Sequence, residues 1–172
     1  MRPKTIFLIS TGGTIEKSYC ERTGSVSNFE PKIESYVDRI WLPHTRIEVA
    51  CLLSKDSREL TDEDRKFLLA AILSRLSFGF PFVVTHGTDT ILETAIYLER
   101  NLSTLSVPVV LTGAMRPLGF ENSDGIQNLG ESIFAAKVLK TGVHLVMHGE
   151  VFDIHRARKD PELGTFVERN CE

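Results

Sequence analysis

Hydroxyl and carboxyl side chains gather at places where an apolar run gives way to small residues. Ser10, Thr11 and Thr14 surround Gly12-Gly13, Ser54, Asp56 and Ser57 follow Arg46–Leu53, Thr85, Thr88, Asp89 and Thr90 surround Gly87, and Thr112 precedes Gly113. A threonine hydroxyl is a weak nucleophile at neutral pH and attacks only when a neighbouring base takes its proton. Thr14 and Thr88 are the candidates. Thr88 has Asp89 beside it, and Lys159 could reach it from a charged run near the end of the chain. A lysine partly removed from water gives up its proton more readily. Tyr19, in the loop after Thr14, could serve Thr14 in a suitably charged environment. The same residues also suit structural duties: a Gly-Gly turn, a threonine cap, a solvated lysine, and an aspartate N-cap worth about 1 kcal/mol.

Other chemistries lack their signatures. No GxGxxG follows the first apolar run, and GxxxxGK[ST], HExxH and GxSxG do not occur. His144 and His148 are four apart in an apolar stretch, which on a strand puts them on one side, but they have no further partner and no metal site is expected. Cys20, Cys51 and Cys171 are odd in number, widely spaced and free of any CxxC, so they read as thiols without catalytic duty. No cofactor is expected.

The elements that must position these residues alternate. Thr5–Ile9, Arg46–Leu53, Phe80–Thr85, Val107–Leu111 and Val143–Met147 are short apolar runs that each end in turn residues, as buried strands of a parallel sheet do. Between them lie segments with helical spacing. Thr61–Leu76 opens with a capping threonine and acids and carries Phe67, Leu68, Ala71, Ile72 and Leu76 on one stripe; a second helix, capped by Thr88 or Asp89, runs to Arg100; a third spans Ile126–Leu139 after Asp124-Gly125. The alternation predicts an α/β fold, a doubly wound, mainly parallel sheet with flanking helices. In such a sheet ligands sit beyond the carboxyl ends of the strands, where the hydroxyls are. The segment 16–31 is polar and too long for a simple connection, which makes it a candidate lid. Pro117–Ser123 forms a shorter loop, and Thr165–Val167 reads as an edge strand or hairpin.

Composition fits this plan. The 172 residues are 42% hydrophobic and 25% charged, enough for one packed domain spanning 1–172. A net charge of -3 gives no general attraction to phosphate backbones or anionic membranes, so neither nucleic acid nor a membrane is an expected partner. No apolar run approaches the roughly 20 residues of a membrane span. The stretch after Arg2 and Lys4 stops at Ser10 without a signal-peptide core, from which a cytoplasmic protein is expected.

Three blocks then carry a resemblance. Ile9-Ser10-Thr11-Gly12-Gly13-Thr14-Ile15, Val84-Thr85-His86-Gly87-Thr88-Asp89-Thr90 and Leu111-Thr112-Gly113-Ala114-Met115-Arg116-Pro117 resemble, in this order, the signature blocks of bacterial-type L-asparaginases. The resemblance runs from Thr5 to about Lys159. It implies hydrolysis of L-asparagine to L-aspartate and ammonia without a cofactor. It implies further that Thr14 is the nucleophile of an acyl-enzyme, that Thr88 positions or activates the attacking group, that Asp89 meets the substrate's α-amino group and that Lys159 supports Thr88. Ser57 would hold the α-carboxylate, with Asp56 its neighbour in the same turn, and the Ala114 carbonyl would face the leaving amide. Backbone N–H groups near Gly13-Thr14 and Thr88-Asp89 are candidate oxyanion donors.

The chain also departs from that pattern. Family members are about twice as long and carry a second domain, which reaches a neighbouring subunit's site; this sequence resembles a short form with the larger domain only, so weaker or less selective substrate binding is expected. Glu16-Lys17 replaces a small residue, the tyrosine of the following loop falls at Tyr19, which leaves its match to the family's lid tyrosine open, Arg58 stands where Gln or Ser is usual, and Arg158 competes with Lys159. A homo-oligomer is expected, since the family's sites lie near subunit contacts and a sheet edge gains from pairing. The alternatives are a non-catalytic amino-acid-binding or regulatory module, and an amidohydrolase preferring glutamine or another small amide.

Overall fold

Along β1 (Lys4–Gly12) Ile6 and Leu8 enter one apolar cluster while Phe7 and Ile9 enter another. This is the alternation a strand imposes, and because both faces are covered the sequence reads as one unbroken apolar run. The computed structural model describes residues 4–168. Cys171 therefore lies outside the described residues.

After β1 come β2 (Ser18–Cys20), β3 (Ser25–Ser27), α1 (Ile33–Val37), β4 (Thr45–Lys55), α2 (Asp62–Leu73), β5 (Phe82–Thr85), α3 (Ile91–Asn101), β6 (Pro108–Thr112), α4 (Gly125–Val138), β7 (Gly142–Met147), β8 (Glu150–Phe152), β9 (Ala157–Asp160) and β10 (Thr165–Glu168). The main sheet runs β4-β1-β5-β6-β7-β8. All its pairings are parallel except the antiparallel β7–β8 edge. The doubly wound, mainly parallel sheet expected from the sequence is thus the observed one. One core layer joins Phe7, Phe82 and Leu145 to α2 and α3 through Ile72 and Leu98; the other joins Leu8, Val83 and Val110 to α1 and α4 through Ile33 and Ile133.

This order matters for the site. The chain leaves β1 toward β4 on one side and then crosses to β5 on the other, so the connections diverge between β1 and β5. In sheets of this kind the carboxyl ends of two such strands are where ligands bind. Ser10 pairs with Thr85 at that end, and Thr14 and Thr88 follow within a few residues.

Several local expectations change. The helix expected to reach Leu76 ends at Leu73, and a separate 3-10 turn covers Leu76–Phe78. Its start is a capping box in which Thr61 and Asp64 satisfy each other's backbone amides. Phe67 is not on the buried stripe: it is exposed, while Leu68 and Ile72 pack inward. The cap of α3 is Thr90, not Thr88 or Asp89, whose side chains are bonded to Lys159 instead. The candidate lid is ordered as the antiparallel β2–β3 hairpin. The tail forms the antiparallel β9–β10 ribbon.

Candidate active site

Four strand-end turns meet, three of them through glycines. Gly13, at φ 78°, lies against the backbone of the next turn, and a Cβ there would sit 2.3 Å from the Gly87 nitrogen. A Cβ on Gly87 would sit 2.5 Å from both Cβ and Oγ of Ser57, and one on Gly113 would sit 2.5 Å from the His86 carbonyl oxygen and 3.1 Å from Thr88 Cγ2. Hydrogen bonds close the same group. The Thr11 hydroxyl donates to the Thr85 carbonyl at 2.9 Å, and the Thr90 hydroxyl donates to the Ser57 carbonyl at 2.8 Å. Thr14, Ser57, Thr88, Asp89 and Ala114 are therefore all carried by turns in direct contact.

Lys159 completes the group from a distant part of the chain. Its Nζ donates to Thr88 Oγ1 at 2.8 Å and to Asp89 Oδ1 at 2.5 Å. Thr88 is buried, so its oxygen meets the ammonium in a largely dry setting, and its own proton points elsewhere. Arg158 faces away and lies 3.9 Å from Asp160, as strand alternation on β9 requires. The competition between Arg158 and Lys159 resolves in favour of Lys159 by geometry.

Asp89 has a second cation, Arg58 Nε, at 3.5 Å. Arg58 is otherwise committed to Asp56, donating from its backbone N–H and Nε to Oδ1 and from a terminal nitrogen to Oδ2, each at 3.1 Å. Lys17 Nζ reaches Asp56 Oδ2 at 2.7 Å. The Arg58 guanidinium, with Lys17, holds the Asp56 carboxyl well below the usual carboxylate range against the opposing effect of partial burial. A polar cavity of about 250 Å³ lies between the β2–β3 hairpin and this turn, lined by Lys17, Asn28, Ser54, Asp56 and Arg58 among others.

The hairpin is fastened at its base. Asn28 Nδ2 donates to the Gly13 carbonyl at 2.8 Å. Glu16 is buried and accepts from Ser10 Oγ and, at 3.1 Å each, from the backbone N–H groups of Lys32 and Ile33. Burial pushes its carboxyl pKa up despite those bonds. Tyr19 lies on β2 and is 58% exposed. The Gly13 N–H is not an oxyanion donor, because it donates to the Lys55 carbonyl at 2.8 Å to hold the turn against β4. His86, between Thr85 and Gly87, is buried, with Nδ1 at 2.8 Å from the Gly87 carbonyl and Nε2 at 2.9 Å from Thr94 Oγ1. Burial lowers its pKa to about 4.

The two histidines four apart do not share a face. His144 Nε2 bonds the Lys140 carbonyl, whereas His148 lies beyond the end of β7 with φ 54°, a left-handed turn that carries its ring toward α4 and β10. Among the described residues no group of three or more His, Cys, Asp or Glu side chains is placed to hold a metal, and no helix is long and apolar enough to cross a membrane. Sequence reasoning missed Glu16, Lys17 and Asn28 as fasteners of the hairpin. The signal was faint: a carboxylate directly after the first threonine block.

The asparaginase N-terminal family model matches residues 5–164. A probable periplasmic L-asparaginase of Haemophilus influenzae is 32% identical over 85% of this chain and 43% of its own length. One component of the glutamyl-tRNA(Gln) amidotransferase of Methanobrevibacter smithii is 33% identical over 94% of this chain and 38% of its own. The thermostable L-asparaginase of Thermococcus kodakarensis superposes with a TM-score of 0.86 at 27% identity, over 98% of this chain and 52% of that one. The chain spans about half the length of the relatives it matches.

Proposed function

The chain belongs to the asparaginase family, and from that premise we propose that it is an L-asparaginase, hydrolysing L-asparagine to L-aspartate and ammonia. The observation that supports this reading most strongly is the Lys159 ammonium bridging Thr88 and Asp89 beside the turn that carries Thr14. In the proposed reaction the Thr14 oxygen forms a bond to the side-chain amide carbon, the C–N bond breaks, and the nitrogen leaves as ammonia after taking up the hydroxyl proton. Water then attacks the acyl-enzyme, releasing aspartate and restoring Thr14.

The remaining roles follow from charge. Asp89 meets the substrate's ammonium. Lys159 keeps its short bond to Oδ1, so the ammonium displaces the longer Arg58 contact on Oδ2. Arg58 is then available, with Ser57, to the α-carboxylate, and Asp56 steers it. Lys159 keeps the Thr88 oxygen occupied as an acceptor and so orients its proton. The Ala114 carbonyl faces the leaving nitrogen, and Tyr19 covers the site when the hairpin swings inward.

On this reading the described domain carries the reacting groups and acts in the cytoplasm as a homo-oligomer. Among the described residues no strand pairs with the outer edge of β4, and that edge is the surface that supports pairing. The similarity to an amidotransferase component supports a second reading, in which the amide is glutamine or another small amide and the domain works as part of an assembly.

The test is ammonia release by the purified protein from L-asparagine, with L-glutamine and D-asparagine in parallel and Thr14→Ala as control. Release from L-asparagine that the variant lacks, without saturation at micromolar substrate, is the expected result. Preference for glutamine would move the assignment to the second reading. A folded protein that binds asparagine but releases nothing would make it a binding module.

A further inference from the structure

A second hydroxyl stands in line with a base, away from the threonine site. Thr165 Oγ1 lies 2.6 Å from His148 Nδ1, and His148 Nε2 lies 2.8 Å from Asp124 Oδ2. Asp124 is itself fixed by the backbone N–H groups of Met115 and Arg116, at 2.9 and 2.8 Å, and by Asn128 Nδ2 at 2.9 Å. Three donors already point at this carboxylate, so it is an acceptor, and the proton between it and the ring belongs to Nε2. A neutral ring then has a bare Nδ1, and the Thr165 hydroxyl donates to it. That is the polarity of a nucleophile and its general base, with a carboxylate orienting the ring.

These residues also border space. A cavity of about 550 Å³ is lined by Asp124, His148 and Thr165, by the apolar residues Met115, Phe152 and Leu163, and by Arg116. Thr165 pairs with Asp160 across the β9–β10 ribbon while Lys159 pairs with Phe166, so Thr165 and Lys159 point to opposite faces. The new constellation is not an extension of the Lys159 machinery.

We propose that Thr165, His148 and Asp124 form a second acyl-transfer site, taking small carboxylic esters with an apolar body in the cavity beside them. The Thr165 oxygen bonds to the ester carbonyl carbon and its proton passes to His148 Nδ1. The C–O bond to the leaving group breaks, and the alcohol leaves carrying that proton. Water then cleaves the acyl-threonine, with His148 taking and returning a proton, to give the carboxylic acid. Arg116 supplies positive charge on the cavity wall toward the carbonyl oxygen.

The experiment uses the full chain carrying Thr14→Ala, which removes the proposed amidase nucleophile from the background, and p-nitrophenyl butyrate as substrate. Thr165→Val and His148→Gln are each expected to lower hydrolysis about 100-fold or more, the usual scale for losing a nucleophile or base, while Thr165→Ser retains it. An alkyl fluorophosphonate should add one phosphonyl group, mapped by peptide mass spectrometry to Thr165. Thermal unfolding by circular dichroism identifies any variant that fails to fold, in which case the Thr165→Ser rate and the mapped label decide. Hydrolysis unchanged by Thr165→Val in a folded protein, or a label found on any residue other than Thr165, would overturn the proposal. Amidase assays on the unaltered Thr14 chain are read separately, so neither reading falls with the other.

Discussion

The turns around Gly87 and the network around Asp124 both bond a threonine hydroxyl to an ionisable side chain, Lys159 in the first and His148 in the second, but they are held in different ways. Around Gly87 the turns press directly on one another, and Gly13, Gly87 and Gly113 leave no room for a Cβ. Around Asp124 side chains bridge the elements: Asn128, fully buried on α4, donates to the Gly113 carbonyl at 3.0 Å and accepts from the His148 N–H at 2.9 Å, and Asp124 gathers four donors, Asn128 among them. The first arrangement is intolerant of added atoms and the second is intolerant of lost polar atoms.

The largest contrast comes from making one substitution in both regions. Gly87→Ala drives a methyl group to 2.5 Å from Ser57 Cβ and Oγ, which forces the two turns apart. It should destabilise the fold by about 3 kcal/mol and reduce amide turnover at least about 100-fold, because small displacements at reacting groups are costly. Gly164→Ala, on the cavity wall beside Thr165, meets nothing within 4 Å and carries only the penalty of φ +64°, about 1 kcal/mol. Denaturant titration and ammonia assays on both variants measure the difference. Equal losses would remove it.

Acid separates the regions next. His86 is held neutral inside the glycine-packed turns, with its pKa lowered by burial to about 4 from 6.5. The unfolded chain takes up a proton below pH 6.5 that the folded chain refuses until pH 4, so stability is lost as pH falls across that window. The loss amounts to about 3 kcal/mol. His86→Gln should flatten this part of the pH–stability curve, with the acid unfolding midpoint moving to lower pH.

Asn128→Ala tests the side-chain network. It strands the Gly113 carbonyl and the His148 N–H and takes one donor from Asp124, for an expected destabilisation of about 2 kcal/mol. Ester hydrolysis at Thr165 should fall more than amide hydrolysis at Thr14, since Asn128 bonds directly to Asp124 and to the backbone of His148 but reaches the threonine turns only through the Gly113 carbonyl. A larger fall in amide hydrolysis would mean that the two regions are mechanically one.

Physical reasons explain how much of this was legible in the residues. The strands β1, β5, β6 and β7 were readable because both of their faces are covered, which leaves unbroken apolar runs such as Ile6–Ile9. The turns were readable because crowded backbone demands glycine, and glycine beside Thr14 and Thr88 is a local signal. Lys159 against Arg158 was not settled by spacing, since only strand alternation on β9 decides which side chain faces Thr88. Thr165, His148 and Asp124 come from three separate parts of the chain with no fixed spacing, and one of them depends on a left-handed turn at a non-glycine residue. Phe67 obeyed helical periodicity but faces solvent, because α2 buries a stripe narrower than its apolar residues suggest.

Glu16 gives the smallest expected effect and the one with the opposite sign. A carboxylate in a polar segment reads as solvated, yet Glu16 is only 3% exposed and joins Ser10 on β1 to the amides of Lys32 and Ile33 where the segment re-enters the fold. Burial raises its pKa above the ordinary 4.5, so the folded state binds this proton more tightly than the unfolded chain does. Stability from Glu16 is therefore fully present below about pH 4.5 and is lost as pH rises through the folded value, whereas the His86 contribution is lost as pH falls. Glu16→Gln keeps a carbonyl oxygen for the two amides and an amide nitrogen for the Ser10 oxygen, and it cannot ionise. Stability curves of the wild type and Glu16→Gln should converge at low pH and separate above pH 4.5 in favour of the variant. Parallel curves would show that the fastening depends on shape and hydrogen bonds alone, and that the charge on Glu16 has no part in holding the hairpin over the threonine site.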